Sequence, residues 1–247
     1  MQVEDFMECV YGGEIPPEPP DGLITGGWEV DSLLSDAQGY FKYSRARTEC
    51  TERGMWAIVD QVWTRELADW IGQRRVLEIM AGRGWLAKAL AACGVRVIAT
   101  DNGEWDGSHA QAVPVFAVRP FAALEAVKTF GNEVEVLLVS WPPCGDEAIC
   151  RAAEAWGGDR PIIYIGESCG GRNAPEDFFK WFHVLEDLNF PLQSWYGFHD
   201  AVLVGHYHFS SAGVPLKSIP AGAGEAGAST SSPKAMVPSP PAWGKPT

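Results

Sequence analysis

Residues 75–102, Arg-Val-Leu-Glu-Ile-Met-Ala-Gly-Arg-Gly-Trp-Leu-Ala-Lys-Ala-Leu-Ala-Ala-Cys-Gly-Val-Arg-Val-Ile-Ala-Thr-Asp-Asn, read as strand, turn, helix and strand. Val76, Leu77 and Ile79 make a short apolar strand, and Ala81-Gly82-Arg83-Gly84 is a turn that small residues permit. Trp85 to Cys93 is rich in Ala and Leu with apolar positions at helical spacing, and Gly94 stands where a helix stop is expected. Val95, Val97 and Ile98 form a second strand that ends on Asp101. A βαβ unit of this kind builds a parallel sheet.

The ends of the unit carry its chemistry. Gly82 and Gly84 let backbone pass close to a ligand, and the helix start behind them offers unpaired N–H groups. Asp101, at the end of the second strand, is placed to accept hydrogen bonds from a ribose diol. The third glycine of the dinucleotide fingerprint is absent, because Ala87 occupies its place. Glu78 stands just before the turn, where a pyrophosphate meets a repelling carboxylate. A cationic ligand such as S-adenosylmethionine (SAM) tolerates that carboxylate.

Glu78-x-x-Ala81-Gly82-x-Gly84 resembles the first motif of class I SAM-dependent methyltransferases. Its Ala-Gly-x-Gly form is similar to that of the amino-methyltransferases and the cytosine-C5 methyltransferases. The resemblance extends over roughly residues 76–209 and leaves out both ends of the chain. It implies SAM as the cofactor, held by Glu78, Met80, Ala81, Gly82, Gly84, Asp101 and Asn102. It also implies a Rossmann-like α/β sheet, mostly parallel with an antiparallel C-terminal hairpin, and helices on both faces.

Outward from this unit, 247 residues suffice for one large α/β domain with extra segments. No apolar run reaches the length of a membrane span, and the acidic N-terminus lacks the regions of a signal peptide. A cytoplasmic protein is the expectation, with a nuclear one left open. Six scattered cysteines without a Cys-x-x-Cys pair argue against a zinc site or a disulfide framework. The net charge is −13, but residues 1–41 hold nine acids and no Lys or Arg, leaving −4 for the remainder. The charge therefore bears on the N-terminal segment and does not exclude nucleic acid as a substrate of the rest.

Four regions are expected. Residues 1–26, acidic and punctuated by Gly12-Gly13 and Pro16-Pro17-Glu18-Pro19-Pro20, read as a disordered arm able to dock a protein partner. Residues 27–72 read as a helical or lid segment, with a helical region over residues 51–71 that carries Trp56, Trp63 and Trp70. Residues 73–213 read as the cofactor-binding domain, and residues 214–247, rich in Pro, Ala, Gly and Ser, as a disordered tail. Within the second region, Tyr40 to Arg47 interleaves aromatic and basic side chains that can cover the cofactor, grip an anion or simply edge the domain.

Beyond Asp101, residues 113–118 read as a third strand and 121–130 as a helix. Many methyltransferases place an acid after this strand; Arg119-Pro120 occupies the region here. Residues 134–139 form a dense apolar strand, 146–156 a helix and 161–165 another buried strand. Residues 174–188 read as an amphipathic helix, and 192–196 with 201–209 as a hairpin turning at Gly197 to Asp200.

Ser140-Trp141-Pro142-Pro143-Cys144 ends the fourth strand, at the crevice where such sheets bind ligands. It resembles the Pro-Pro motif of amino-methyltransferases, with Ser140 displaced by one position, Trp141 inserted and Cys144 in the aromatic place. The resemblance implies an acceptor platform of Ser140, Trp141, Pro142 and Pro143. The same residues are similar to the Pro-Pro-Cys of cytosine-C5 enzymes, with Cys144 as nucleophile and Glu167 nearby. His199, His206 and His208 read as hairpin histidines, one of them a possible base, with a three-histidine metal site as the alternative. The leading expectation is methyl transfer to nitrogen or oxygen of an unassigned substrate; a non-catalytic adapter keeping the fold is the other.

Overall fold

Seven strands form one sheet in the computed structural model, which describes residues 1–22, 37–104, 113–168 and 171–209. They are β1 Val76–Ile79, β2 Val97–Asp101, β3 Val118–Pro120, β4 Val136–Ser140, β5 Ile162–Glu167, β6 Phe182–Leu188 and β7 Asp200–Tyr207. The order is β3-β2-β1-β4-β5-β7-β6. β1 to β5 are mutually parallel, and β7 enters antiparallel between β5 and β6. The chain is therefore a Rossmann-like α/β fold, mostly parallel with one antiparallel hairpin. The reversal of strand order at β1/β4 opens the crevice in which such sheets bind ligands.

The helices are α1 Val3–Tyr11, α2 Ala37–Glu52, α3 Gln61–Ile71, α4 Trp85–Ala92, α5 Ala123–Phe130, α6 Ala148–Trp156 and α7 Glu176–Trp181. Alternation along the strands sends side chains to two layers. Val76, Val136, Leu138, Ile163 and Val204 join the core against α1, α3 and α4. Leu77, Leu137, Val139, Ile162 and Tyr164 join the core against α5, α6 and α7. Both faces of the central strands are buried, which accounts for their nearly unbroken apolar runs.

The first twenty-two residues correct the expectation of a disordered arm. α1 buries Val3, Phe6, Met7 and Val10, a stripe at helical spacing, and points Glu4, Asp5 and Glu8 outward. Phe6 meets Trp195 edge-on, with ring centroids 6.2 Å apart. The N-terminal amine reaches Glu18 at 2.8 Å and Asp21 at 3.0 Å, so the segment closes on itself. Pro16 and Ile15 carbonyls accept from the backbone and side chain of Gln61, tying the segment to the start of α3. Net charge hid a buried apolar stripe. Phe6→Ala should cost about 3–5 kcal/mol of stability, the range for a truncated core aromatic, read by urea denaturation. A loss below about 1 kcal/mol, ordinary for surface substitutions, would return the segment to the solvated arm.

Other boundaries also shift. The helical region expected over residues 51–71 breaks after α2, and Asp60 caps α3 by accepting from Val62 N–H at 2.7 Å and Trp63 N–H at 3.3 Å. The third strand begins only at Val118, because residues 113–117 cross the glycine turn, where Val115 N–H donates to the Arg83 carbonyl. The helix expected over residues 174–188 is α7 followed directly by β6, which pairs with β7. Residues 192–196 form no strand, so the hairpin has a different first arm. Phe178, Phe182 and Leu185 fit a helical face, whereas Phe182, Val184 and Leu188 fit alternation, and sheet pairing decides between them. The expected tail, residues 214–247, lies outside the described residues. Among the described residues no helix is long and apolar enough to cross a membrane.

Candidate functional site

The turn from Met80 to Gly84 needs left-handed backbone at three places: Met80 at φ 54°, Gly82 at 59° and Gly84 at 80°. It is held by Ala81 N–H to the Thr100 carbonyl and Gly84 N–H to the Ala81 carbonyl, both 2.9 Å. Asp101 locks it from β2. One oxygen accepts Gly82 N–H at 2.9 Å, and the other accepts Gly103 N–H at 2.8 Å. The carboxylate expected to meet a ribose thus also orients the backbone of the glycine turn.

Before this turn the chain encloses a cavity of about 550 Å³ at the carboxyl ends of the parallel strands. Glu78, Met80, Ala81, Gly82, Asp101 and Asn102 line one part. Ser140, Trp141, Pro142 and Pro143 line another. The structure brings the two expected groups onto one wall system. Gly84 is the exception. It faces away, and a Cβ there would come within 2.8 Å of the Phe116 Cβ, so its glycine serves packing at left-handed φ.

Glu78 is 1% exposed. One carboxylate oxygen accepts Ala87 N–H from α4, while Oε2 has no hydrogen-bond partner among the described residues. Burial, with Asp101 adding to it, pushes its carboxyl up to about 8. Asn102 is engaged with Glu104, donating to its carboxylate at 3.1 Å and accepting its N–H at the same distance. Arg119 does not reach the cavity wall and stacks over Phe130 instead. Phe121 and Ala122 line the region where an acid was sought after the third strand.

The Ser140 to Pro143 segment is stiffer than its sequence implies. Trp141 lies at φ 51°, its N–H donates to the Ile165 carbonyl, and its indole Nε1–H donates to Asp200 at 2.8 Å. Its ring stacks on Trp56, centroids 6.2 Å apart, and tilts against Phe198 at 5.3 Å. The Pro142 carbonyl accepts Ala174 N–H at 3.0 Å, and Pro143 bridges to Asn173. One lone pair of that carbonyl therefore remains for a ligand. Cys144 is exposed on the rim. Glu167 is absent from the cavity wall, and its oxygens accept Arg172 N–H at 2.8 Å and His199 N–H at 3.2 Å.

Sequence reasoning missed several neighbours. Trp56, Phe121, Arg172 and Asn173 line the cavity, and Asp200 stands behind Trp141. Burial pushes the Asp200 carboxyl up to about 7 against the lowering effect of the Trp141 N–H, with Glu167 adding to the rise. Of the basic-aromatic stretch, Arg47 packs 4.2 Å from the Phe198 ring, and burial and Arg172 lower its pKa. It edges the site without lining it. His206 faces His183 across β6 and β7, and His199 lies 4.0 Å from Glu167. Among the described residues no three His, Cys, Asp or Glu side chains are grouped to hold a metal ion.

No protein-family model matches the chain, and no curated protein matches it. Among solved structures it is similar to the mitomycin 7-O-methyltransferase MmcR, with 14% identity over 83% of this chain and 67% of that one, at a TM-score of 0.39. It is also similar to the Burkholderia thailandensis 1,6-didemethyltoxoflavin-N1-methyltransferase, with 16% identity over 76% and 93% at 0.39. The magnesium protoporphyrin IX methyltransferase ChlM of Synechocystis PCC 6803 gives 13% identity over 74% and 87%, also at 0.39. Likeness this distant assigns no role to any residue of the cavity.

Proposed function

We propose that this protein is a SAM-dependent methyltransferase acting on a nitrogen or oxygen nucleophile. The observation that carries the reading is convergence: the Glu78 to Gly82 turn, Asp101 and the Ser140 to Pro143 segment meet on the walls of one cavity. The residues fit the cofactor. An orphaned, buried Glu78 oxygen suits a cation, left-handed Gly82 leaves room for close approach, and Asp101 suits a ribose diol. Met80, Ala81 and Asn102 complete that wall. When bound, SAM supplies an electrophilic methyl group on a positively charged sulfur.

The chain's own task is then positioning and proton acceptance. Ser140 and the free lone pair of the Pro142 carbonyl would orient the nucleophile, and Trp141, held by Asp200, would wall its pocket. The non-catalytic adapter is favoured by one observation: the Trp141 indole and the Pro142 carbonyl already have internal partners. Titration calorimetry with SAM and S-adenosylhomocysteine, followed by tritiated-methyl transfer into fractionated lysate, tests the reading. Binding of both ligands and label in an acceptor fraction is the expected result. Binding without transfer turns the assignment to the adapter, and no binding at millimolar ligand removes both the cofactor and the enzyme.

A further inference from the structure

We infer that the methyl acceptor is a small molecule carrying one anionic group, a carboxylate or a phosphate, which Arg172 holds beside the Ser140 to Pro143 segment while Arg47 supports it from behind Phe198. The inference rests on the methyltransferase reading of the cavity and deepens it by naming the class of acceptor.

Charge on the cavity wall is divided between its two parts. Glu78 in β1, Asp101 at the end of β2 and Glu104 just after it are acids on the side of the glycine turn. Arg172 is the only basic side chain among the described wall residues. It stands beside the Ser140 to Pro143 segment, because its neighbour Asn173 bridges to Pro143. Asp146, the acid on that side, is occupied by the Ala148 N–H at the start of α6, at 2.8 Å.

Both guanidinium groups are gathered at one ring. Arg47 Cζ lies 4.2 Å from the Phe198 centroid, and Arg172 Cζ lies 5.3 Å from it. Cation–π contact holds the two cations without neutralising either. Among the described residues neither has a carboxylate within ion-pair distance. Arg47 Nε is sealed from solvent without a hydrogen-bond partner among those residues. Burial, and then the like charge of Arg172, lower the Arg47 pKa; Asp200 and Glu167 offset part of this. Those two acids already serve other donors. Glu167 accepts the backbone N–H groups of Arg172 and His199, and Asp200 accepts the Trp141 indole. An anion at this ring relieves the repulsion between the two cations.

The placement suits an acceptor. Phe198 tilts against Trp141, so the paired cations adjoin the indole that walls the cavity. A guanidinium offers a planar fork of donors that matches a carboxylate or a phosphate. One such base on the wall serves a single anionic group. A polynucleotide needs several phosphate contacts, and a net charge of −13 repels it.

Ligand-observed NMR on full-length protein, with and without S-adenosylhomocysteine, compares benzoate and phenyl phosphate with neutral benzamide. The wild type should bind at least one of the anions about tenfold or more tighter than benzamide, the scale of a charge-assisted hydrogen bond. The tighter of the two identifies the anionic group. Arg172→Gln keeps the backbone N–H that Glu167 accepts and should remove the preference, with SAM affinity within about threefold of wild type. Arg47→Gln should lose part of the preference and Arg47→Lys should regain it, a rescue that packing alone does not give. In the tritiated-methyl assay, label should enter the small-molecule fraction of the lysate, and the tighter anion should compete with it. Anion binding no tighter than benzamide, or a preference that survives Arg172→Gln, overturns the inference. So does label confined to protein or nucleic acid. A loss of SAM affinity as large as the loss of anion affinity assigns Arg172 to the cofactor's own carboxylate and also overturns it. If SAM and its product fail to bind while the Arg172-dependent anion preference remains, the methyltransferase reading falls, and the acceptor role falls with it.

Discussion

Gly82→Val should leave no measurable SAM binding, a loss of more than about a hundredfold or roughly 3 kcal/mol, in a protein that still folds. The position combines two demands. Its φ of 59° is left-handed, where a β-branched side chain costs ~1–2 kcal/mol before any contact is counted. It also lines the cavity, so the isopropyl group would occupy space that the ligand needs. The backbone N–H of Gly82 is the group that Asp101 holds, so a shift of this turn is passed to β2. Asp101→Ala offers a graded comparison. It removes the acceptor for two backbone N–H groups together with the proposed ribose contact, and should weaken SAM by ~1.5–3 kcal/mol, the range for a charge-assisted hydrogen bond. Circular dichroism checks the fold and calorimetry the affinity. Unchanged SAM affinity in both variants would take away the cofactor assignment.

The central fold was legible because its strands are short, apolar and punctuated. Val76 to Ile79, Val136 to Ser140 and Ile162 to Glu167 are buried on both faces and leave little room for another reading. Reading failed where two physical signals competed. At residues 3–10 the acid count outweighed the stripe of Val3, Phe6, Met7 and Val10, although the stripe decides what is buried. At residues 182–188 helical and alternating patterns coexist, and the pairing with β7, which no local window contains, selects the strand. The site divides in the same way. Glu78, Gly82 and Asp101 lie close in sequence and share a spacing that the βαβ unit dictates. Trp56 and Arg172 come from connections and Asp200 from the start of β7, and it is tertiary packing that brings Trp56 and Asp200 against Trp141 and Asn173 against Pro143. Gly84 shows the converse: a motif glycine whose reason is the neighbouring Phe116, with no share in the cavity wall.

Trp141→Ala should reduce methyl transfer about tenfold or more, while SAM affinity stays within about threefold. The magnitude corresponds to the ~1–3 kcal/mol of a stacking aromatic contact expressed in the barrier. The indole is fixed by three neighbours: Trp56 against its face, Phe198 at 5.3 Å, and the Asp200 carboxylate at 2.8 Å from Nε1. Truncation removes a wall of the proposed acceptor region and takes the indole donor from a buried Asp200, so the pocket should loosen on that side alone. Trp141→Phe, which restores a ring but not the hydrogen bond, should fall between alanine and wild type. Cys144→Ser should keep most activity, because the thiol sits exposed on the rim and the platform requires only acceptors and shape. If Cys144 instead attacks the substrate, serine at that position should be essentially inactive, a hydroxyl being a far poorer nucleophile near neutral pH. The wild type should then also form a covalent adduct with a mechanism-based cytosine analogue. Tritiated-methyl transfer into the acceptor fraction ranks the three variants. A folded, SAM-binding Cys144→Ser protein without activity would reject the platform in favour of the nucleophile.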